Sequence, residues 1–222
     1  MPRHVDPREP RPGAGRWVPE RRELGALRAA APDCRGCELW RDATQVVFST
    51  GTAAARIVLV GEQPGEREDL EGEPFVGPAG RLLAEATEAA GLDPGELYVT
   101  NAVKHFRFER RGKRRIHERP GIAHVDACRP WLDAELAVVR PRVVVCLGAT
   151  AARSVVGRTV KIGEVRGRIL DARGPHGAGV LVTTHPSALL RLREAGARAA
   201  AFDGLVADLR VARAAARAPR PA

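Results

Sequence analysis

Four short apolar runs, separated by segments with helical spacing, constrain the fold of this chain more than any other feature. The runs read RIVLVG (56–61), LYVTNAV (97–103), RVVVCLG (142–148) and VLVTTHP (180–186). Continuous apolar runs of this kind are typical of strands buried on both faces of a parallel sheet. The segments 78–90, 122–139 and 149–156 carry Ala and Leu at helical spacing, with Gly91 and Pro141 as stop signals. This alternation predicts an α/β protein, a three-layer α/β/α sandwich around a central, mainly parallel four-stranded sheet.

The length of 222 residues suits one domain, which we expect to span 20–210. Residues 1–19 are rich in Pro, Arg and Gly and predict a disordered tail, and 211–222 have the character of a second, flexible tail. No stretch approaches the roughly 18 uninterrupted apolar residues that a membrane span needs, and the first residues lack a signal-peptide core. We therefore expect a cytoplasmic monomer with no membrane partner.

The charge of the chain points to a polyanionic partner. The formal net charge is +9 and the estimated pI is about 10.5. Eight Lys or Arg side chains stand against two Glu between Lys104 and Arg119. This segment predicts a local basic patch, although a charge run is equally typical of a solvated loop.

The cysteines need an explanation other than disulfides, because the cytosol is reducing. Cys34 and Cys37 form a C-x2-C pair, Cys128 lies in a predicted helix and Cys146 lies inside the third apolar run. Four thiolates suit either zinc or a four-iron cluster, and their spacing does not choose between the two. An unligated, buried thiol is a further reading that suits Cys146, since strand interiors often hold Cys as a small hydrophobe.

The ends of the four apolar runs are where we expect the functional site, because parallel α/β sheets bind ligands outside the carboxyl ends of their strands. These ends read GEQPG, NAVKH, CLG and HPS. The first turn has glycines at a strand-to-helix junction but lacks the Lys-Ser/Thr of a P-loop and the third Gly of a dinucleotide fingerprint. We expect no nucleotide cofactor there. The turn does present a set of polar side chains: Glu62, Gln63, Glu66 and Asp69.

Three longer segments resemble motifs of the iron-sulfur uracil-DNA glycosylases. They are GEQPGEREDLEGEPFVGPAGRLL (61–83), YVTNAVKHF (98–106) and HPSALLR (185–191). The four cysteines also resemble that group's cluster ligands in position, and the resemblance covers about residues 34–210. It implies the uracil-DNA glycosylase fold and a [4Fe-4S] cluster held by Cys34, Cys37, Cys128 and Cys146.

Two details resemble one class of that superfamily, the UdgX type. The first is Gln63 in the GEQPG turn, and the second is RRGKRRIH (110–117), which is similar to the class's signature loop ending in a reactive histidine, here His117. The resemblance implies excision of uracil from DNA, with single strands preferred. It also implies that His117 becomes covalently linked to C1′ of the abasic site, assisted by Glu62 and Gln63.

The resemblance assigns further roles around the uracil. Phe75 would stack on the base and Asn101 would read its edge, since an amide matches O4 and N3–H. His185 would donate a hydrogen bond to O2, Ser187 would contact a DNA phosphate, and Glu66 would lie among the substrate-binding residues. The DNA backbone would be bound by basic side chains: Lys104, Lys113, Arg114, Arg115 and Arg191.

Three other interpretations remain at this point. A conventional uracil-DNA glycosylase would release its product through water, and the KRRIH string disfavours it. A zinc-stapled nucleic-acid-binding module would also have four cysteines and a basic face, but it would lack the brown colour of an iron-sulfur protein. A nucleotide-binding α/β domain is disfavoured by the incomplete phosphate motifs.

Overall fold

A computed structural model of the chain describes residues 11–21, 23–170 and 174–218. Its strands are β1 (Ser49–Gly51), β2 (Ile57–Gly61), β3 (Leu97–Asn101), β4 (Phe108–Arg111), β5 (Arg114–His117), β6 (Val143–Leu147) and β7 (Gly179–Thr183). Its α-helices are α1 (Leu24–Ala30), α2 (Glu66–Glu71), α3 (Pro78–Ala89), α4 (Ile122–Val139), α5 (Ala149–Val156), α6 (Ile162–Val165), α7 (Pro186–Leu189) and α8 (Ala195–Arg217). Short 3₁₀ helices lie at Ala14–Trp17, Ala31–Asp33, Glu38–Arg41, Pro94–Glu96 and Pro175–Gly177.

The central sheet has five strands in the order β1-β3-β2-β6-β7. The four predicted strands form its parallel part, which confirms the predicted fold class. The prediction of four strands was wrong by one, because β1 pairs antiparallel with β3 at the edge. This strand covers only Ser49–Gly51 and is half-buried to exposed, so it has no apolar run that would predict it.

Helices cover both faces of the sheet, as a three-layer sandwich requires. Alternate strand residues point to opposite faces, so Val58 and Val60 pack with α1, α4 and α5, while Ile57 and Leu59 pack with α3 and α8. The two hydrophobic clusters bury the sheet completely in β2 and β6. The polar side chains of interest therefore lie beyond the ends of the strands.

The described parts of the two predicted tails pack against the rest of the chain. Gly13 donates its N–H to the carbonyl of Gly36 at 3.0 Å, and Ala14 is buried. At the other end, α8 continues to Arg217 and buries Ala212 and Ala216. Small side chains let these segments pack closely, which a composition-based reading overlooks. The predictions for residues 1–10 and 219–222 lie outside the described residues.

The basic segment after β3 is a β-hairpin, which the sequence analysis treated as a loop. Strands β4 and β5 pair antiparallel, with Phe108 opposite His117 and Arg111 opposite Arg114. Gly112 takes a positive φ of 61° in the two-residue turn, a conformation that glycine adopts without strain. Among the helices described, none is both long and apolar enough to cross a bilayer.

Candidate active site

The carboxyl ends of the parallel strands bring together most of the predicted site residues. Glu62 and Gln63 directly follow β2, Asn101 ends β3, and His185 follows β7. His117, the last residue of β5 in the hairpin, also lies at this site, where Gln63 contacts it. The carboxyl ends of the parallel strands therefore form the candidate active site, as the topology of open α/β sheets predicts.

One wall of the site is formed around Gly61. A Cβ atom built on this glycine would lie 2.2 Å from Oδ1 of Asn101 and 2.6 Å from Cζ of Phe75, so both side chains press against its backbone. Oδ1 of Asn101 is buried and has no hydrogen-bond partner within the described part of the chain. A buried, unpaired acceptor is costly unless a ligand satisfies it. An aromatic ring and an unpaired amide oxygen thus share one wall.

The loop that carries Phe75 is held by Glu68, which the sequence analysis did not single out. Glu68 accepts the N–H of Gly77 at 2.7 Å and the N–H of Gly65 at 3.0 Å. Phe75 has a positive φ of 61°, which is strained for a bulky residue and therefore needs such support. The available signal was the position of Glu68 three residues after the Gly65 cap, where a carboxylate often binds the cap's N–H.

His185 is held in one tautomer by Ser187. Its Nδ1 accepts the backbone N–H of Ser187 at 3.1 Å and lies 2.9 Å from the Ser187 hydroxyl, which Arg191 contacts at 3.2 Å. With Nδ1 as acceptor, the neutral ring carries its proton on Nε2. Burial lowers the pKa of His185 to about 4. The ring is therefore neutral at pH 7 and keeps Nε2–H as its donor, and its centroid lies 6.1 Å from that of Phe75.

His117 is about half exposed and lies next to Glu62 and Gln63 of the turn after β2. Its Nε2 is 3.0 Å from Nε2 of Gln63 and 4.0 Å from Oε1 of Glu62. Partial burial lowers the pKa of His117, Glu62 opposes the shift and the charge of Arg191 adds to it. At pH 7 the imidazole is neutral, so one of its nitrogens has a free electron pair.

Glu62 has two partners that the sequence analysis missed. The hydroxyl of Thr150, at the start of α5, donates a short hydrogen bond to Oε2 of Glu62. Arg119 lies 3.3 Å from the same oxygen and also donates to the Thr150 hydroxyl at 3.0 Å. No local motif marks these residues, because they come from separate elements and meet only in the folded chain.

Arg115, which the sequence analysis placed among the DNA contacts, is an internal anchor of the hairpin. It donates to Oδ2 of the fully buried Asp69 at 2.6 Å and to Oε1 of Glu66 at 3.1 Å. Its guanidinium also lies over the rings of Phe106 and Phe108, 5.6 and 5.2 Å from their centroids. Glu66, predicted among the substrate-binding residues, is thus the partner of Arg115.

Lys104, also predicted among the DNA contacts, lies in the core and is paired there with an acid. Its side chain is 1% exposed and pairs with the buried Glu135 at 2.5 Å. Position in a basic segment suggested a surface role, but Lys104 precedes the hairpin and turns into the core. The remaining predicted DNA contacts, Lys113, Arg114 and Arg191, are exposed.

Three of the four cysteines line one cavity, and the fourth does not. The lining of this cavity includes Cys34, Cys37, Cys128 and His105. Cys146 is absent from this lining and lies in β6, paired with Val60 and Val182. The position of Cys146 therefore favours the alternative of a buried, unligated thiol over the predicted role of a ligand.

The residues around this cavity fit a metal-sulfur group. Burial raises the pKa of Cys37 to about 11 and that of Cys128 to about 12, so both thiols would lose their protons only on binding a metal. Trp131 donates Nε1–H to Sγ of Cys34 at 3.2 Å. Among the described residues, no three His, Cys, Asp or Glu groups converge on a single-ion site. Cysteine thiolates and histidine imidazoles are donors that iron-sulfur clusters accept, and both kinds line this cavity.

His105 is the ligand candidate that the sequence analysis missed. It directly follows Lys104, is 6% exposed and lines the cavity beside the three cysteines. Burial lowers the pKa of His105 to about 4, so its imidazole is neutral and able to bind a metal. The available signal was the VKH string after the second apolar run, which places a histidine directly after Lys104.

The sequence comparisons agree with this geometry. Residues 48–210 match the family model of the uracil DNA glycosylase superfamily, and the chain belongs to that superfamily. It is similar to the type-4 uracil-DNA glycosylase of Thermotoga maritima, with 41% identity over 72% of this chain and 79% of the relative. The type-4 enzyme of Archaeoglobus fulgidus is 37% identical over 72% and 81%. That of Pyrobaculum aerophilum is 33% identical over 76% and 85%.

Proposed function

We propose that the protein excises uracil from DNA, preferably from single strands, and is then captured on C1′ of the abasic site through His117. The observation that carries this proposal is the contact of His117 with Gln63, beside a wall that offers an unpaired amide oxygen and an aromatic ring. The names of the type-4 relatives support uracil excision. The capture step rests on the position of His117.

Uracil would be recognised at the wall around Gly61. A stacked base is out of reach of any active site, so the nucleotide enters from a single strand or is flipped out of a duplex. Phe75 stacks on the uracil ring, and the unpaired Oδ1 of Asn101 accepts N3–H while the amide NH₂ donates to O4. Cytosine offers an acceptor at N3 and a donor at C4, so it would leave the buried amide unpaired.

In the cleavage step the C1′–N1 bond breaks and its electron pair leaves with uracil. The sugar carbon becomes an oxocarbenium ion, and the uracil anion carries the negative charge that His185 stabilises through Nε2–H and O2. A neutral donor is suited to this role because it stabilises the anion by a hydrogen bond and keeps its own proton. His185 therefore does not need to be reprotonated after uracil leaves. Ser187 keeps the proton on Nε2 by donating its own N–H to Nδ1.

In the capture step Nε2 of His117 donates its electron pair to C1′ and forms a carbon–nitrogen bond. The imidazole becomes cationic and is stabilised by the carboxylate of Glu62, which lies 4.0 Å from Nε2, and it returns to neutrality when Nδ1 loses its proton to solvent. Nε2 of Gln63 has two hydrogens but three acceptors nearby, namely His117 and the carbonyls of Arg107 and Glu118. The two carbonyls can use both hydrogens, so His117 can turn toward the sugar without leaving an N–H unpaired.

A [4Fe-4S] cluster would be held by Cys34, Cys37 and Cys128 with His105 as the fourth ligand. When bound, it supplies a covalent cross-link between the N-terminal segment, the end of β3 and α4. None of these ligands belongs to the wall around Gly61 that would bind the base. The exposed basic side chains Lys113, Arg114 and Arg191 bind phosphates of the strand, and single strands are preferred because no base pair has to be opened.

The decisive experiment mixes the protein with a uracil-containing single strand and separates the products on a denaturing gel. We expect a complex that survives denaturation, and its absence with His117→Ser. The matched control is His176→Ser, because His176 is an exposed histidine outside the site. Free uracil is measured in the same samples, since the variant should still break the glycosidic bond.

The other outcomes identify the alternatives. Uracil release without a stable complex would indicate a conventional glycosylase that turns over through water, in line with the names of the type-4 relatives. Binding of the strand with neither product would indicate a nucleic-acid-binding module. An absorbance band near 400 nm in the purified protein, together with iron analysis, distinguishes a cluster from zinc.

A further inference from the structure

A buried ion pair lies directly behind the base-reading wall and takes no part in the chemistry proposed above. Nζ of Lys104 is 2.5 Å from Oε2 of Glu135, and the two side chains are 1% and 0% exposed. Lys104 follows β3, and Glu135 faces it from α4. Such pairs are expensive to bury and are rarely retained for stability alone, since apolar replacements are often equally stable.

The carboxylate of Glu135 is fully engaged with β3. Its Oε1 accepts hydrogen bonds from the hydroxyls of Tyr98 and Thr100, each at 2.9 Å. Burial, followed by the charge of Glu135, raises the pKa of Tyr98, so this hydroxyl stays protonated and remains a donor. The acid thus holds two residues of the strand that ends at Asn101, and Tyr98 reaches on to Ser49 at 2.6 Å.

The ammonium group continues this chain of contacts to Asn101. Nζ of Lys104 donates to Thr100 Oγ1 at 2.5 Å and to the backbone carbonyl of Asn101 at 3.0 Å, so its three hydrogens have three partners. Asn101 is the last residue of β3, and the two residues after it, Ala102 and Val103, donate their N–H groups to the carbonyls of Gly61 and Glu62. Lys104 therefore holds the backbone of the residue whose side chain forms part of the base wall.

We propose that the Lys104–Glu135 pair is a positioning device for Asn101, holding the end of β3 so that the amide faces the base. The unpaired Oδ1 of Asn101 gives the reason for such a device, because a buried amide without a partner would otherwise turn toward any available donor. Charge-assisted hydrogen bonds resist that rotation better than neutral ones. This inference rests on the proposed role of Asn101 in reading uracil.

The test uses the double substitution Lys104→Met with Glu135→Gln in the full chain. Removing both charges leaves no unpaired ion in the core, and the glutamine can still accept from Tyr98 and Thr100. We expect the rate of uracil excision under single-turnover conditions to fall about 10- to 100-fold, and the affinity for free uracil to fall with it. Iron content, thermal midpoint and affinity for a uracil-free strand should change little.

The controls separate positioning from folding and from the proposed function. Ser49→Ala removes the far end of the network without touching Asn101, and it should excise uracil at the normal rate. A folded double variant with unchanged excision and uracil affinity would overturn the inference. Asn101→Ala is measured alongside, because unchanged excision in that variant would mean that the proposed role of Asn101 fails, whatever the ion pair does.

Discussion

Gln63 holds His117 and the base of its hairpin with a single side chain. Nε2 of Gln63 lies 3.0 Å from Nε2 of His117, and Oε1 accepts the N–H of Arg107 at 3.1 Å. One amide therefore connects the turn after β2 to both strands of the hairpin, because Arg107 precedes β4 and His117 ends β5. This relationship explains why a glutamine follows Glu62: a donor and an acceptor are needed at the same point.

We predict that Gln63→Leu lowers the yield of covalent complex more than it lowers uracil release. The substitution removes the amide contacts, and a displacement of His117 by about 1 Å is enough to slow attack on C1′ about 100-fold. Both products are measured on one gel over time. Gln45→Leu is the matched control, because Gln45 also donates to main-chain carbonyls, those of Asp69 and Leu70, but outside the site. Equal losses of both products would contradict the prediction.

The pH dependence of capture should reflect the lowered pKa of His117. The neutral ring is the nucleophile, so the rate is high above its pKa and falls as protonation sets in below it. Burial lowers this pKa from the ordinary value of 6.5, and the acid limb should therefore have its midpoint below 6.5. Rapid-quench measurement of complex formation between pH 4.5 and 8 tests this. A midpoint above 6.5 would mean that His117 is not in the environment described.

Gly61→Ala should strongly slow uracil excision while leaving the protein folded. The new Cβ would lie 2.2 Å from Oδ1 of Asn101 and 2.6 Å from the Phe75 ring, which is closer than atoms can approach. The two side chains must move apart, and we expect excision to fall about 100-fold or more. Gly196→Ala is the control, since Gly196 lies in α8 and a Cβ atom there would meet nothing within 4 Å. Normal excision by Gly61→Ala would rule out the wall as the base site.

Two neighbouring arginines of β5 should respond differently to substitution. Arg114 is exposed, so Arg114→Met should weaken strand binding and reduce the slope of log affinity against log salt by about 0.7. Arg115 anchors the hairpin to Asp69, so Arg115→Met should keep that slope but destabilise the fold by about 2 kcal/mol and reduce capture. Salt titrations and thermal unfolding measure the two effects. A lower salt slope in Arg115→Met would restore its predicted DNA contact.

Substitution of single ligands should divide the cysteines into two groups. Cys128→Ser and His105→Ala each remove a side chain from the cavity wall, and we expect the brown colour and the iron content to fall. Cys146→Ser should retain both, because Cys146 lies in β6 away from that wall. Iron analysis and absorbance near 400 nm provide the measurement. Loss of iron from Cys146→Ser alone would return Cys146 to the ligand set.

The sequence by itself determined the layers of the fold and the edge at which the site lies. Apolar runs of strand length have few alternatives to a buried parallel sheet, and the location of Glu62, Gln63, Asn101 and His185 at or just after the strand ends follows from where those runs end. Local patterns carry this information because each strand and helix buries its own apolar residues. The edge strand β1 was missed since it buries too little to leave a pattern.

Only the tertiary structure decided which charged and sulfur-bearing side chains face which partner. Lys104 and Arg115 read as surface cations in a basic segment, yet each is matched by a buried acid from a distant element, Glu135 and Asp69. Likewise, His105 replaces Cys146 at the cavity because β6 buries Cys146 in the sheet. A side chain's partner depends on packing between elements far apart in sequence. The spacing of residues along one segment therefore does not predict that partner.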